Sequence, residues 1–418
     1  RKPLRAVTML LLNYIPVSTL PPKLSRQHHP DISRFEHRGS SLGVSARSRS
    51  GFARRKAVRM LKNDQLASLG KEVASWCVAS GYADAQVAVS AATSKMAALR
   101  DFWAVAQHFA QDGAVPRQLM LAFPKFEEAV KEPPALLRRL VQAAINGCSS
   151  FTFAGKSVLV EARHPSDKPI GDESDSAPCP ILVLRFNADA VIQDQPLALA
   201  TPQISHEQVL RETRAWVEAI IVKMKVCPFS STADRAGMPM GGVSYPICRS
   251  TTPEGVLQSF WDQILKLESS SPEDVATVLL LAPYFANSVS VWEVLERTLV
   301  VLLQMLGLSG EYSLVFFHPE YSMNALRQRL PKNTLSDQIG GDDGAAHYAR
   351  RSPYPIINIL RQKQVHKAQQ CLQDSVYVTN ARNCDSVGCD HLQRMLDARD
   401  WTEIYDRRYE AHRRVETA

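Results

Sequence analysis

The chain has 418 residues, 45% of them hydrophobic, enough for two domains of ordinary size each to bury a core, and this excludes a wholly disordered polymer. Its formal charge of +7 is unevenly placed: residues 1–60 hold thirteen Lys and Arg against Asp31 and Glu36, a net of +11, so the other 358 residues carry 36 basic and 40 acidic side chains, a net of −4. A near-neutral body has no general field for a polyphosphate backbone, and nucleic-acid binding is set aside.

Residues 1–60 read as a basic, acid-poor leader rich in Arg, Ser and Pro, ending on Arg54, Arg55, Lys56 and Arg59. That composition suits a transit peptide, largely disordered. Within it, Val7 to Val17 is apolar, too short to span a bilayer but long enough for the h-region of a signal sequence. The two together predict an organellar address, a plastid ahead of a mitochondrion, with a basic tail on a cytosolic protein as the plainer alternative. The chain opens on Arg1, so the true start is expected upstream. No later segment has the uninterrupted apolar length of a membrane helix. The eight cysteines, at 77, 148, 179, 227, 248, 371, 384 and 389, lack the density of a disulfide framework and are expected as free thiols.

The body contains an internal repeat. VASWCVA around Trp76 matches TRAWVEA around Trp216, each in a helical segment, and each is followed by a short alternating stretch, from Gln86 and from Gly242. Next comes a helix with Phe102-Trp103 in one copy and Phe260-Trp261 in the other. The apolar runs from Leu119 and Leu279 then match, as do strands ending on His164-Pro165 and His318-Pro319, and the runs from Pro178 and Pro353. Two copies are therefore expected, at 64–198 and 205–370, with a linker from Gln193 to Ser205 and a C-terminal helical appendage over 371–418, a charged helix from Asp390 to Arg414. Each copy is expected to run helix, strand, helix, strand, helix, strand, helix. The fold class is α/β, or α+β: two tandem modules of helices layered on a sheet.

The copies differ in length at two places. Trp76 to Trp103 spans 27 residues and Trp216 to Trp261 spans 45, while His164 to Pro180 spans 16 and His318 to Pro355 spans 37. Both excess loops adjoin the distinctive residues of copy two, and long loops on a rigid scaffold are where ligand contacts gather.

Three runs in copy two could carry chemistry. Cys227 stands at the bend of Val226-Cys227-Pro228-Phe229, where it is a small buried hydrophobe or, if a cation lowers its pKa, a reactive thiol. His318 ends a strand, a position where ligands collect in open α/β sheets, though a His-Pro pair also simply terminates strands. Arg351-Ser352-Pro353-Tyr354-Pro355 is expected to open the last helix, with Ser352 as N-cap and Pro353 as first helical residue, so that Arg351 and the backbone N–H groups form an anion pocket. Copy one has Ser176-Ala177-Pro178-Cys179-Pro180 there, without arginine.

These runs, Val226-Cys227-Pro228-Phe229, Phe317-His318-Pro319-Glu320-Tyr321 and Arg351-Ser352-Pro353-Tyr354-Pro355 with Leu360-Arg361, resemble the signature runs of a bacterial and plastid family known as domain of unknown function fourteen-fifteen. The resemblance covers about Glu212 to Lys367. Family members usually carry His where this chain has Asn358, so no role of that His carries over. The resemblance brings no activity with it and strengthens the site alone.

The expected function is a small-anion site of Cys227, His318 and Arg351, with Ser352 and Tyr354 beside them. Arg351 would hold the anion, His318 would move a proton and Cys227 would act as nucleophile or redox thiol. The alternative is a non-catalytic scaffold or partner-binding protein in an organelle. No cofactor is implied. Cys384, Cys389 and His391 lack a fourth zinc ligand, so no metal is expected, and Gly340, Gly341 and Gly344 lack a P-loop lysine and read as a flexible acidic loop.

Overall fold

The computed structural model describes residues 63–80, 82, 85–112, 118–124, 135–147, 158–163, 177–186, 204–227, 229–285, 289–322, 344–370 and 376–404. The leader, His164-Pro165, Pro228 and the glycine-aspartate stretch 340–343 lie outside these residues. Both modules lie within one compact unit, 61–418.

In the first module α1 (Asn63–Ala79), β1 (Gln86–Val89), α2 (Lys95–Asp112), β2 (Gln118–Ala122), α3 (Ala135–Gly147), β3 (Val158–Arg163) and β4 (Ile181–Phe186) build a four-stranded sheet in the order β1-β2-β4-β3. In the second, α4 (His206–Trp216) continues as a π-helical segment (Val217–Lys223). Then follow β5 (Ser230–Thr232), β6 (Arg235–Ala236), β7 (Gly241–Ser244), α5 (Pro253–Ser269), β8 (Thr277–Leu281), α6 (Val289–Met305), β9 (Tyr312–Phe317), a 3-10 turn (Ala345–Ala349), β10 (Ile356–Arg361), α7 (Gln362–Gln369), α8 (Val376–Val387) and α9 (Cys389–Ala398). The second sheet runs β5-β6-β7-β8-β10-β9.

The two sheets share one plan. β1 is parallel to β2, and β4 lies antiparallel between β2 and β3. Likewise β7 is parallel to β8, and β10 lies antiparallel between β8 and β9. The matched sequence landmarks fall on elements at the same place in this plan. The sheets are mixed, because the final strand of each plan inserts between its predecessors.

That final strand corrects the reading of Arg350 to Pro355 as a helix start. Ile356–Arg361 is a central strand, as is Ile181–Phe186 in the first module. The reason is local: Ile356, Ile357 and Ile359 are β-branched residues that suit a pleated surface, and Pro355 biases Tyr354 away from the helical region. Ser352 is not an N-cap; its hydroxyl donates to Tyr354 O at 2.5 Å.

Period-two alternation sorts the strand residues between layers. Leu119 and Leu121 of β2, Leu182 and Leu184 of β4, Val278 and Leu280 of β8 and Ile357 and Ile359 of β10 face one common core. Two helical layers meet inside it, α2 against α5 and α3 against α6. Phe102-Trp103 and Phe260-Trp261 both lie in this core as edge-on pairs, with centroids 4.8 and 5.0 Å apart. Close approach is allowed by Gly255 near the start of α5, where a Cβ would come 2.9 Å from Gln107 of α2. Thr252 caps α5, its hydroxyl accepting from Gly255 N, and Pro253 follows as the first helical residue.

The outer faces carry separate cores. Met120, Ala122, Ile181 and Val183 pack under Val73 and Cys77 of α1. Leu279, Leu281, Phe317 and Ile356 pack under α4, its π-helical continuation, α8 and α9. The charged helix expected over 390–414 is described as Cys389–Ala398, ended by Arg399 in the left-handed region at φ 52°. It is more than a surface appendage: Leu392, Met395, Leu396, Trp401 and Ile404 are buried with the second module's core. The 18-residue excess after α4 contains the β5–β6 hairpin, fixed to α4 and its continuation by Glu218, which accepts from Ala233 N, and by Arg214, which pairs with Asp234 and lies over Tyr245.

Candidate functional site

The second and third motif runs meet where β9 ends and β10 begins. The buried His318 follows Phe317, and its ring lies 6.3 Å from that of Trp292 on α6. A tight turn follows, with Tyr321 N donating to His318 O at 3.0 Å and Glu320 N donating to His318 Nδ1 at 3.1 Å. Because Nδ1 accepts, the neutral ring carries its proton on Nε2. Pro319 is half-buried in this turn and Tyr321 is buried.

Two further bonds strap the turn to the next run. His318 N donates to Arg350 O at 3.2 Å, and Arg351 Nε donates to Tyr321 O at 3.1 Å. The half-buried Arg351 guanidinium also donates from Nη1 to Gln393 Oε1 at 2.9 Å and lies over the Tyr348 ring, 4.6 Å from its centroid. Tyr348 donates to the same Gln393 oxygen at 2.7 Å. Burial pushes the Tyr348 phenol above its ordinary pKa, against the lowering influence of Arg351.

A second cluster joins α4, the proline run and the end of α9. The buried Tyr354 donates a short hydrogen bond to Glu212 Oε2, and Arg399 Nη1 reaches both Tyr354 Oη, at 2.8 Å, and Glu212 Oε2, at 3.2 Å. Gln208 Nε2 holds the other Glu212 oxygen at 2.7 Å. Burial, then the Glu212 bond, push the Tyr354 phenol well above its ordinary pKa. Pro353 and Pro355 are buried, and Pro355 O accepts from Ala282 N at 2.9 Å, closing the edge of β8.

None of the hydrogen bonds of the two clusters reaches Cys227. It leads into β5 while His318 ends β9, the two outermost strands in the order of the second sheet, and it packs against the hydrophobic cluster that holds Phe317 and Tyr348. Cys227 N donates to Ile221 O, and burial raises the thiol pKa despite hydrogen bonds from Ser230 and Phe229. Phe229 is half-buried, its carbonyl accepting from Gly237 N at 3.0 Å. Of the expected Cys–His–Arg set, the His318 and Arg351 runs are joined by the strap, and the Cys227 thiol is hydrogen-bonded within its own bend.

Arg361 also has a different task. It closes β10 at the end away from Arg351, where its guanidinium donates to Val275 O, Leu267 O and Ser270 O at 3.0, 2.8 and 2.9 Å. A cation on the last carbonyls of α5 is a C-terminal cap. Asn358 faces Thr277, whose hydroxyl donates to it at 2.7 Å.

Among the described residues no group of three His, Cys, Asp or Glu could hold a metal ion. Of the C-terminal Cys/His set, Cys384 is buried with its thiol pushed up to about 12, and His391 Nε2 lies 3.1 Å from Glu403. Five residues of the two clusters are not singled out by the sequence: Gln208, Glu212, Tyr348, Gln393 and Arg399. The signal for Gln393 and Arg399 was the apolar spacing Leu392, Met395, Leu396, which marks one buried face of a helix and so draws that helix onto the domain.

Among the described residues no helix is long and apolar enough to cross a membrane. No curated protein and no solved structure matches the chain. A family model matches residues 208–394, a range that begins on α4, takes in the whole second sheet and both polar clusters except Arg399, and ends within α9. That family is described as protein of unknown function (DUF1415), and the second half of the chain is similar to it.

Proposed function

We propose that the second module binds a small anion, a carboxylate or a phosphate, at Arg351. The observation that carries this reading is the environment of that side chain. It is half-buried and held by the Tyr321 carbonyl, the Gln393 carboxamide and the Tyr348 ring, all neutral partners. A guanidinium oriented in this way is a permanent charge whose geometry is set before a ligand arrives. His318, bonded into the same strap, is the group suited to move a proton near neutral pH. Cys227 has no part in this reading.

The test is calorimetric titration of the full chain with inorganic phosphate and with acetate, comparing the parent with Arg351→Lys and Arg351→Gln. Binding is expected in the parent, weaker in Arg351→Lys, which keeps the charge without the fork, and lost in Arg351→Gln. Equal binding by all three would remove Arg351 from the site and end the proposal.

A second reading, a scaffold role, applies to the first module, which we read as a duplicate of the second. It is supported by the shared strand plan and by α2 and α3 filling the face of α5 and α6, in a copy that has Pro178-Cys179-Pro180 but no arginine. We also propose that residues 1–60 direct the chain to an organelle, a plastid ahead of a mitochondrion, on the strength of their basic, acid-poor composition. A fluorescent protein fused behind this segment should enter that organelle; diffuse cytosolic fluorescence would refute the address.

A further inference from the structure

We infer that Gln393 is an internal stand-in for the ligand: its carboxamide oxygen occupies the anion seat, and binding exchanges that oxygen for one of the ligand's. This rests on the anion reading of Arg351 and adds how the same site is regulated. Arg351 Nη1 and Tyr348 Oη converge on Gln393 Oε1 at 2.9 and 2.7 Å. The amide is held with its oxygen inward because Nε2 donates to Asp397 Oδ1, one helical turn on, at 2.7 Å. A guanidinium and a phenol aimed at one acceptor form the donor set of an oxyanion site. The neutral amide oxygen fills it with weaker bonds than a carboxylate or phosphate oxygen would make.

The exchange requires movement of one side chain only. α9 is fixed by the buried Leu392, Met395 and Leu396 and by Arg399 on Glu212 and Tyr354. Gln393 itself is half-buried, so rotation about its side-chain bonds carries the amide outward while the helix stays docked. The closed arrangement lowers apparent affinity by the fraction of molecules in which Gln393 occupies the seat.

Phosphate and acetate are each titrated into the full chain carrying Gln393→Ala or Gln393→Glu, beside the parent, with circular dichroism to verify folding. Gln393→Ala is expected to bind about tenfold more tightly, the scale of losing a competing hydrogen bond to a charged group. Gln393→Glu is expected to bind at least about tenfold more weakly, because its tethered carboxylate fills the seat with full charge. Unchanged or weaker binding by Gln393→Ala, or unchanged binding by Gln393→Glu, overturns the inference while leaving the anion site at Arg351 intact. Absence of binding in the folded parent and both folded variants removes the site and its regulation together.

Discussion

Arg361 Nη2 lies 2.8 Å from the carbonyl oxygen of Leu267, joining the end of the central strand β10 to the last turn of α5. With its bonds to Ser270 O and Val275 O, this arginine satisfies carbonyls that the helix end and the following loop leave without intrahelical partners. Arg361→Ala is expected to cost about 2–3 kcal/mol of stability, since hydrogen bonds to a charged group are worth more than neutral ones. Urea unfolding measures it. Phosphate affinity of the folded variant should equal the parent's, and a selective loss of binding would reassign Arg361 to the site.

Gly255 tests the seam between the modules. A Cβ there would meet Ser250 Oγ at 2.1 Å and Gln107 Cδ at 2.9 Å. Gly255→Ala should therefore destabilise by about 1–3 kcal/mol through overpacking. A change in unfolding free energy from urea titration below about 0.5 kcal/mol would show that Ser250 and Gln107 give way without penalty.

The buried thiols predict a pH dependence. Burial pushes Cys384 up to about 12 and Cys179 up to about 11, from an ordinary 9.0. Below about pH 9 these thiols are protonated in both folded and unfolded chains, and their contribution to stability is complete. As pH rises through the unfolded value toward the folded ones, the unfolded chain releases the protons first, and stability falls by up to about 1.4 kcal/mol per pH unit per thiol. Cys384→Ala should flatten the decline between pH 9 and 10.5; an identical slope in parent and variant would contradict this.

The same reasoning predicts a slow Cys227 thiol. Its pKa is raised, so labelling by iodoacetamide at pH 7.5 should be slower than that of a free cysteine, and Arg351→Gln should leave the rate unchanged. Fast labelling slowed by Arg351→Gln would bring the thiol back into the site.

The second module should not remain monomeric when cut away from the first. Removing residues 63–186 uncovers Phe260, Trp261, Leu299 and Leu302, each buried and each worth about 1.5–3 kcal/mol of transfer free energy. Residues 204–404 should therefore self-associate in a concentration-dependent manner on size exclusion, whereas a sharp monomer peak at all concentrations would mean the face tolerates water.

The shared strand plan was legible because its landmarks are large side chains with a packing consequence: Phe102-Trp103 and Phe260-Trp261 both form edge-on pairs in the central core. The last strand was misread because Ser352-Pro353 matches a helix start locally, and only the β-branched run from Ile356 argues against it. What chooses is tertiary: β10 must lie between β8 and β9 to complete the sheet. The meeting of the His318 and Arg351 runs was readable from the ends of β9 and β10. The pairings of Gln393 and Glu212 were not, since their partners lie 42 and 142 residues away, and no local pattern encodes such a pair.

The alternation that divides β2 and β4 between two cores places unequal mutational constraints on the first module. Leu119, Leu121, Leu182 and Leu184 face the layer of α2 and α3, which itself packs on α5 and α6, so a change of volume there is passed through one continuous core to both halves of the chain. Met120, Ala122, Ile181 and Val183 answer only to α1 on the far side of the sheet. Sequence drift in this half is therefore filtered by parity: along each strand, every second residue bears the stability of a site it never touches, and the residues between can vary at the expense of one helix.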